Sequence, residues 1–370
     1  MKKILIVNNN LDIGGIQKSL VNLLRQLGGE GEITLLLFSP SGALLDKVPE
    51  QVKIITPQNC YRILGLTRNE LKKYPLLYML KGFLVKYAAV FSRRGAMKLL
   101  GLLKKPLGGY DMAISYSHLP HHKSFANGCG DFVLDKVQAA KKVCFVHCDY
   151  SRAGSNSAQN SAQYREFDKI ACCSEGVAQV FVKAARAEKS RVCTVRNFFD
   201  LTVTEQARKA PCTMDESYIN ILTVARLSPE KGIADALCAL KDAGRQDIRY
   251  TIIGDGPERS RLMAQAAPLG DRVIFAGESS NPYGYMAAAD YLLVPSLHEA
   301  APMVFDEARA LALPVISTDT LSARELLSDG DILYTHPKQL QGILHGLHKS
   351  VKRPRTLQDN NMQTEQFKAL

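Results

Sequence analysis

The chain has 370 residues, 46% hydrophobic and 22% charged, enough for two domains of ordinary size and close to the balance of a folded soluble protein. Disordered, collagen-like and disulfide-stapled classes are excluded. Lysine plus arginine number 47 against 36 acids, a net charge of +11 that points to an anionic partner: nucleic acid, a negative membrane surface or a phosphate-bearing substrate.

Along the chain, short apolar runs alternate with helical patterns. Strands are expected at 4–7, 33–38, 52–55, 112–116, 143–147, 170–174 and 192–195, then at 219–224, 250–253, 273–275, 291–294 and 315–317. Many are continuously apolar, as parallel strands covered on both faces are. Helical patterns lie between them, among them 16–25, 177–187, 233–243, 257–267 and 302–311. This alternation predicts an α/β protein of doubly wound parallel sheets. From Asp200 to Glu216 the chain is polar and holds Pro211, so a linker is placed at 201–216. Two Rossmann-like domains, 1–200 and 217–349, are expected to face each other across a cleft, with a polar tail at 350–370 that forms a terminal helix or is partly disordered.

The opening Lys2-Lys3 before Ile4–Val7 has too short an apolar run for a signal peptide. The stretch 76–91 is interrupted by Lys81 and Lys86 and is short for a bilayer span. Nine cysteines fall at no zinc-like spacing, and Cys144, Cys148, Cys172 and Cys173 lie in or beside apolar runs. Buried thiols in a reducing cytoplasm are expected.

Three motifs carry chemistry. The turn Asn8–Gly15 follows the first strand, and Gly14-Gly15 open a helix whose N–H groups could meet an anion. The turn is not G-x-G-x-x-G and lacks the later acid, which disfavours a dinucleotide site; a structural turn is the plain alternative. In Arg226-Leu227-Ser228-Pro229-Glu230-Lys231-Gly232, two cations flank a strand-to-helix loop at the carboxyl edge of the sheet, where they suit linked phosphates. A solvated loop is the competing reading. In Glu299-Ala300-Ala301-Pro302-Met303-Val304-Phe305-Asp306-Glu307, Pro302 opens a helix and the N–H groups near Ala301, Met303 and Val304 are expected to point into the cleft. Glu299 and Glu307 could hold different ends of an elongated ligand. Asp329-Gly330-Asp331 spells D-x-D but fits a helix-to-strand turn better than a metal site.

The E-x7-E pair Glu299/Glu307, the Arg226/Lys231 pair and the Gly14-Gly15 turn resemble, in type and order, those of family 4 glycosyltransferases of the GT-B fold. Gly254-Asp255-Gly256-Pro257 resembles the family's G-x-G-P turn. Ala289–Ser296, Leu313–Ile316, Ser322–Glu325, Ser174-Glu175 and Asn197 add to the likeness, which is dense over 215–330 and absent over 55–110. The resemblance implies a retaining hexosyltransferase of the bacterial cell-surface polysaccharide type. It would move sugar from a nucleotide-sugar, a UDP-sugar by expectation, to a glycan or lipid-linked acceptor. Glu307 would take the ribose hydroxyls, and Arg226 and Lys231 the pyrophosphate. Gly14 and Gly15 would bring backbone to the donor, with Gly254 from the G-x-G-P turn. Glu299 and the backbone of Ala301, Pro302, Met303 and Val304 would hold the hexose, faced by His147, which on its own would be read as structural. No metal and no resident cofactor is implied, because cations and N–H groups can stabilise the departing diphosphate. Where the family has Gly after the first Glu, this chain has Ala300-Ala301, whose methyl groups could narrow the donor pocket.

A nucleotide-sugar epimerase and an inert nucleotide-sugar-binding protein are the alternatives. A phosphorylase would need a pyridoxal-phosphate lysine and a longer chain. No nucleic-acid module is legible, so nucleic acid is not expected as a partner. The positive charge is local: between Arg62 and Lys105 stand eleven cations and one acid, Glu70, interleaved with Leu76, Leu80, Phe83 and Phe91. Segment 62–105 is read as a basic amphipathic insert that could dock the first domain on an anionic membrane at the cytoplasmic face; a basic outer face on ordinary helices is the alternative.

Overall fold

The computed structural model describes residues 2–29, 31–57, 59–102, 106–350 and 359–370. The chain forms two units, residues 1–198 together with 360–370, and residues 199–359.

Unit one holds a sheet of seven strands: β1 (Lys3–Asn8), β2 (Glu32–Leu37), β3 (Lys53–Ile55), β4 (Leu107–Ser115), β5 (Val137–Val146), β6 (Lys169–Cys172) and β7 (Val192–Thr194). They run in the order β3-β2-β1-β4-β5-β6-β7, and every neighbouring pair is parallel. Ile4 lies opposite Ile33 on one side and Met112 on the other, so β1 is central and its residues 4–8 are buried. Leu20, Leu23 and Leu24 of the helix Gly15–Leu27 recur at helical spacing and pack with Ile4, Ile6 and Leu35 in one core. Ser174 caps the helix Glu175–Ala185 by accepting the Val177 N–H, which gives the expected serine turn a local cause.

Unit two repeats the plan with β8 (Ile219–Val224), β9 (Ile248–Ile253), β10 (Val273–Gly277), β11 (Tyr291–Val294), β12 (Val315–Thr318) and β13 (Ile332–Tyr334). The order is β10-β9-β8-β11-β12-β13, again all parallel. β13 escaped the sequence reading because it is three residues long and starts directly after Asp331. The turn reading of Asp329–Asp331 holds: Gly330 has φ +94°, and the Asp331 carboxylate accepts the Val315 and Ser328 N–H groups at 2.9 and 3.0 Å.

The structure changes two of these domain assignments and one reading of charge. The expected linker 201–216 belongs to unit two, because the helix Val203–Lys209 buries Val203 and Ala207, four apart, beside Leu222, Met286 and Phe305. Its polar composition hid that two-residue apolar face. Within the expected tail 350–370, residues 351–358 lie outside the described residues, but the helix Asn361–Lys368 returns to unit one. Phe367 and Leu370 join its core, and Gln366 Oε1 accepts the Arg196 N–H at 3.0 Å.

The third correction concerns 62–105, of which Lys104 and Lys105 lie outside the described residues. Its main elements are the helices Pro75–Val90 and Arg93–Leu100. Arg93 is not a surface cation: it is 1% exposed and its Nε donates to Asp131 Oδ2 at 2.8 Å. Gln163 and Asn160 complete the network. Breaking such a buried pair leaves an uncompensated charge and costs about 3–5 kcal/mol. Arg94 likewise pairs with Asp135 and Glu166, at 2.9 and 2.8 Å. The acids lie 38 to 72 positions away, so local charge counting could not see them.

All nine cysteines are free thiols, and Cys129, Cys144, Cys172 and Cys173 are buried. Burial pushes Cys129, Cys144 and Cys172 well above the ordinary thiol range, which makes them inert packing groups.

Candidate functional site

In unit two the strand order reverses between β8 and β11, the place where open α/β sheets take ligands at the carboxyl ends of their strands. The two motif loops of this unit leave those two strands. The β8 loop is stitched to the β9 turn by backbone hydrogen bonds, Ala225 N–H to Ile253 O at 3.0 Å and Leu227 N–H to Asp255 O at 2.9 Å. That approach demands glycine. At Gly254, φ is +139° and a Cβ would stand 1.9 Å from Ala225 O; at Gly256 it would stand 2.3 Å from Leu227 O. Gly254, read above as a donor contact, thus has a packing reason of its own. Arg226, at the crest of the loop, is exposed and makes no ion pair among the described residues.

The β8 loop also reaches the β11 loop. Leu297 N–H donates to Glu230 O at 2.9 Å, and Gly232 (φ +63°) would place a Cβ 2.0 Å from Pro295 O. This contact brings Lys231 Nζ to 2.7 Å from Glu299 Oε1, with the side chains 24% and 14% exposed. Sequence reasoning gave these two residues separate ligand groups; in the structure they are partners. Glu299 is held from behind, where Ser322 Oγ donates to its backbone carbonyl at 3.0 Å. Ser322, singled out above only by resemblance, acquires a mechanical role.

The following helix runs Met303–Ala310, so Pro302 is its N-cap (φ −70°, ψ 122°) and not its first residue. The expected helix start at 302 shifts by one position. First-turn N–H groups, here those of Met303 and Val304, have no acceptor within a helix. Ala301 is half-buried just before them. One turn on, Glu307 is 4% exposed, as its apolar neighbours Phe305 and Ala308 require. Its Oε1 accepts the Tyr283 hydroxyl at 3.0 Å. Tyr283 is itself buried, on the helix Tyr283–Ala288, and Gly284 lets that helix close on Ala210, where a Cβ would meet Ala210 O at 1.9 Å. Sequence reasoning missed Tyr283. The only available signal was indirect: a carboxylate placed in an apolar helix face needs a buried donor.

In unit one the corresponding reversal lies between β1 and β4. Gly15 starts the helix Gly15–Leu27 and Gly14 is its N-cap, with no side-chain cap. Gly14 has φ −174°, extended backbone that any residue adopts, and a Cβ there would meet only the movable end of Gln17. The fold of unit one therefore does not itself demand glycine at 14, in contrast to Gly254 and Gly232. His147 follows β5 against the rings of Tyr116 and Phe145, centroids 4.9 and 5.6 Å away. Neither of its buried ring nitrogens makes a well-formed hydrogen bond. Burial, with His118 adding to it, pushes its pKa down to about 3, although Asn197 and the Tyr116 backbone oppose this. His118, after β4, was not singled out by sequence; burial and then Arg93 push it down to about 4, and its Nδ1 is also without a partner. Both rings are neutral at pH 7.

Among the described residues no three His, Cys, Asp or Glu side chains are grouped as metal ligands would be. No described helix is long and apolar enough to cross a membrane.

Residues 205–365 match the family described as glycosyl transferases group 1. The 2-deoxystreptamine glucosyltransferase of Streptomyces kanamyceticus is 38% identical over 99 residues, 25% of this chain and 25% of that protein. The N-acetylgalactosamine-N,N'-diacetylbacillosaminyl-diphospho-undecaprenol 4-alpha-N-acetylgalactosaminyltransferase of Campylobacter jejuni is 28% identical over 189 residues, 49% of this chain and 51% of that protein. The chain thus spans about half or less of the length of these relatives. The crystal structure of Anabaena HepE in complex with UDP-glucose superposes over 100% of both chains with a TM-score of 0.67 at 18% identity. Residues 205–365 thus resemble the group 1 glycosyl transferases, and the two parallel sheets give the chain the GT-B fold seen in the HepE structure.

Proposed function

We propose that the protein is a retaining glycosyltransferase that transfers a hexose from a UDP-sugar to a growing cell-surface glycan or a lipid-linked acceptor at the cytoplasmic face of the membrane. The observation that carries this reading is the gathering of Arg226, Lys231, Glu299 and Glu307 on the two loops and the helix after β8 and β11. In it, Glu307, held by Tyr283, accepts hydrogen bonds from the ribose hydroxyls. Arg226 and Lys231 bind the diphosphate, whose charge grows as the glycosidic bond breaks. The Lys231–Glu299 pair holds the two side chains together before the donor arrives, and an incoming phosphate shares Lys231 with the carboxylate. Glu299 and the N–H groups of Met303 and Val304 orient the hexose. No protein nucleophile is assigned, and the cations do the work that a metal would do. The names of the Campylobacter relative and of the HepE complex support, respectively, a lipid-linked acceptor and a UDP-sugar donor.

The test begins with thermal shifts against UDP-, GDP- and ADP-sugars. One donor should stabilise by about 2.7 kcal/mol at a hundredfold excess over Kd. Transfer of that sugar onto lipid-linked acceptors, in chelator, should then give product with the donor's anomeric configuration by NMR. Glu307→Ala should lower donor use about tenfold or more. An inverted product, or an epimerised free donor, would overturn the retaining transferase; binding without turnover would leave an inert binder.

A further inference from the structure

The helix Pro75–Val90 is apolar on two opposite sides. Leu84 and Ala88 face inward and are buried, with Leu77 half-buried on the same side. Leu76, Met79, Phe83 and Val90, spaced by three, four and seven residues, share the outward stripe and are 58–83% exposed. A contiguous stripe of this kind on a water-facing helix marks an interaction surface. Lys86 lies along the same stripe, Lys72 and Lys73 are exposed just before the helix, and Lys98 just after it. From residue 71 to 102 the chain contains no acid, and Glu70 is occupied by the N–H and hydroxyl of Thr67 at 2.8 and 2.7 Å.

We infer that the outward stripe of Pro75–Val90 seats unit one on an anionic lipid bilayer, the apolar side chains entering the headgroup boundary and the lysines meeting lipid phosphates. The inference deepens the lipid-linked-acceptor reading and rests on it for its biological meaning. Length fixes the mode of contact: sixteen residues span ~24 Å, short of the ~30 Å hydrocarbon core, so the helix lies on the surface and does not cross it. Charge selects the occupant. A second copy of this face would set lysines against lysines with no acid in reach, whereas an anionic leaflet neutralises them. The burial of Arg93 and the pairing of Arg94 narrow the electrostatic part to the lysines and leave a larger share to the apolar stripe.

Co-sedimentation of the full chain with vesicles tests this, using phosphatidylcholine and phosphatidylglycerol in equal parts against phosphatidylcholine alone. The protein should pellet with the anionic vesicles and lose much of that binding in high salt. Met79→Ser/Phe83→Ser should weaken binding about tenfold or more, with an unchanged melting temperature because both side chains are exposed. Lys72→Gln/Lys73→Gln/Lys86→Gln should weaken binding to the anionic vesicles alone, about fivefold per charge. Equal weak binding to both vesicles, or no effect of the Met79/Phe83 substitutions, would overturn the inference. So would a concentration-dependent dimer in light scattering that those substitutions abolish. Donor-induced thermal shifts, read without vesicles, separate failure of this inference from failure of the donor reading.

Discussion

Glu307 and Tyr283 show what a single residue can and cannot reveal. A glutamate between Phe305 and Ala308 is read from sequence as a ligand-binding carboxylate, and in the structure it is 4% exposed. Its partner lies 24 positions earlier in a stretch with no motif, so only the three-dimensional contact identified Tyr283. Tyr283 is read as a positioning residue. Tyr283→Phe keeps the ring and removes one hydrogen bond to a charged group, so KM for the nucleotide sugar should rise about tenfold with kcat nearly unchanged. A fall in kcat at constant KM would instead mean that Tyr283 acts on the reacting sugar. Lys231 and Glu299 teach the complementary lesson. Each was found by type and spacing, but their 2.7 Å pairing depends on two loops that are 68 positions apart.

At the scale of elements, the alternation of apolar runs and helical patterns predicted twelve of the thirteen described strands, because parallel strands covered on both faces need continuous apolar sequence. Short elements failed that test: β13, and the helix Val203–Lys209, which buries only Val203 and Ala207. Loop placement depends on glycine at defined points. Gly232 combines φ +63° with a 2.0 Å approach to Pro295 O, so Gly232→Ala adds backbone strain to a clash with rigid main chain. The expected cost is about 2 kcal/mol or more, a fall in melting temperature of several degrees, together with weaker donor binding as Lys231 leaves Glu299. Gly14→Ala, at extended backbone facing only the Gln17 side chain, should leave the melting temperature within a degree or so. A large loss of stability at Gly14 with none at Gly232 would refute this division of roles.

For the whole molecule, the buried histidines tie stability to pH. His147 and His118 have folded pKa values of about 3 and about 4, below their ordinary 6.5. At pH 7 both are neutral folded and unfolded. As pH falls below about 6.5 the unfolded chain takes up protons first, and stability is lost until the folded values are reached. The unfolding free energy from urea titrations should therefore drop between pH 7 and pH 5, by about 2 kcal/mol for each ring. A profile equally steep after His147→Gln would remove that residue from the account. The surplus of positive charge follows a similar logic of burial and pairing. Counting placed eleven cations in 62–105, but burial took Arg93 to Asp131, and Asp135 and Glu166 took Arg94. The sequence by itself determined the parallel α/β architecture, its two-part division and the identity of the motif residues, because these follow from local periodicity and from residue type at short spacing. Only the tertiary structure decided which of those residues become partners, which cations stay at the surface and where 201–216 and 359–370 belong. Those outcomes depend on groups tens to hundreds of positions apart, and on the free energy of burying a charge or an apolar face, neither of which is encoded in any one segment.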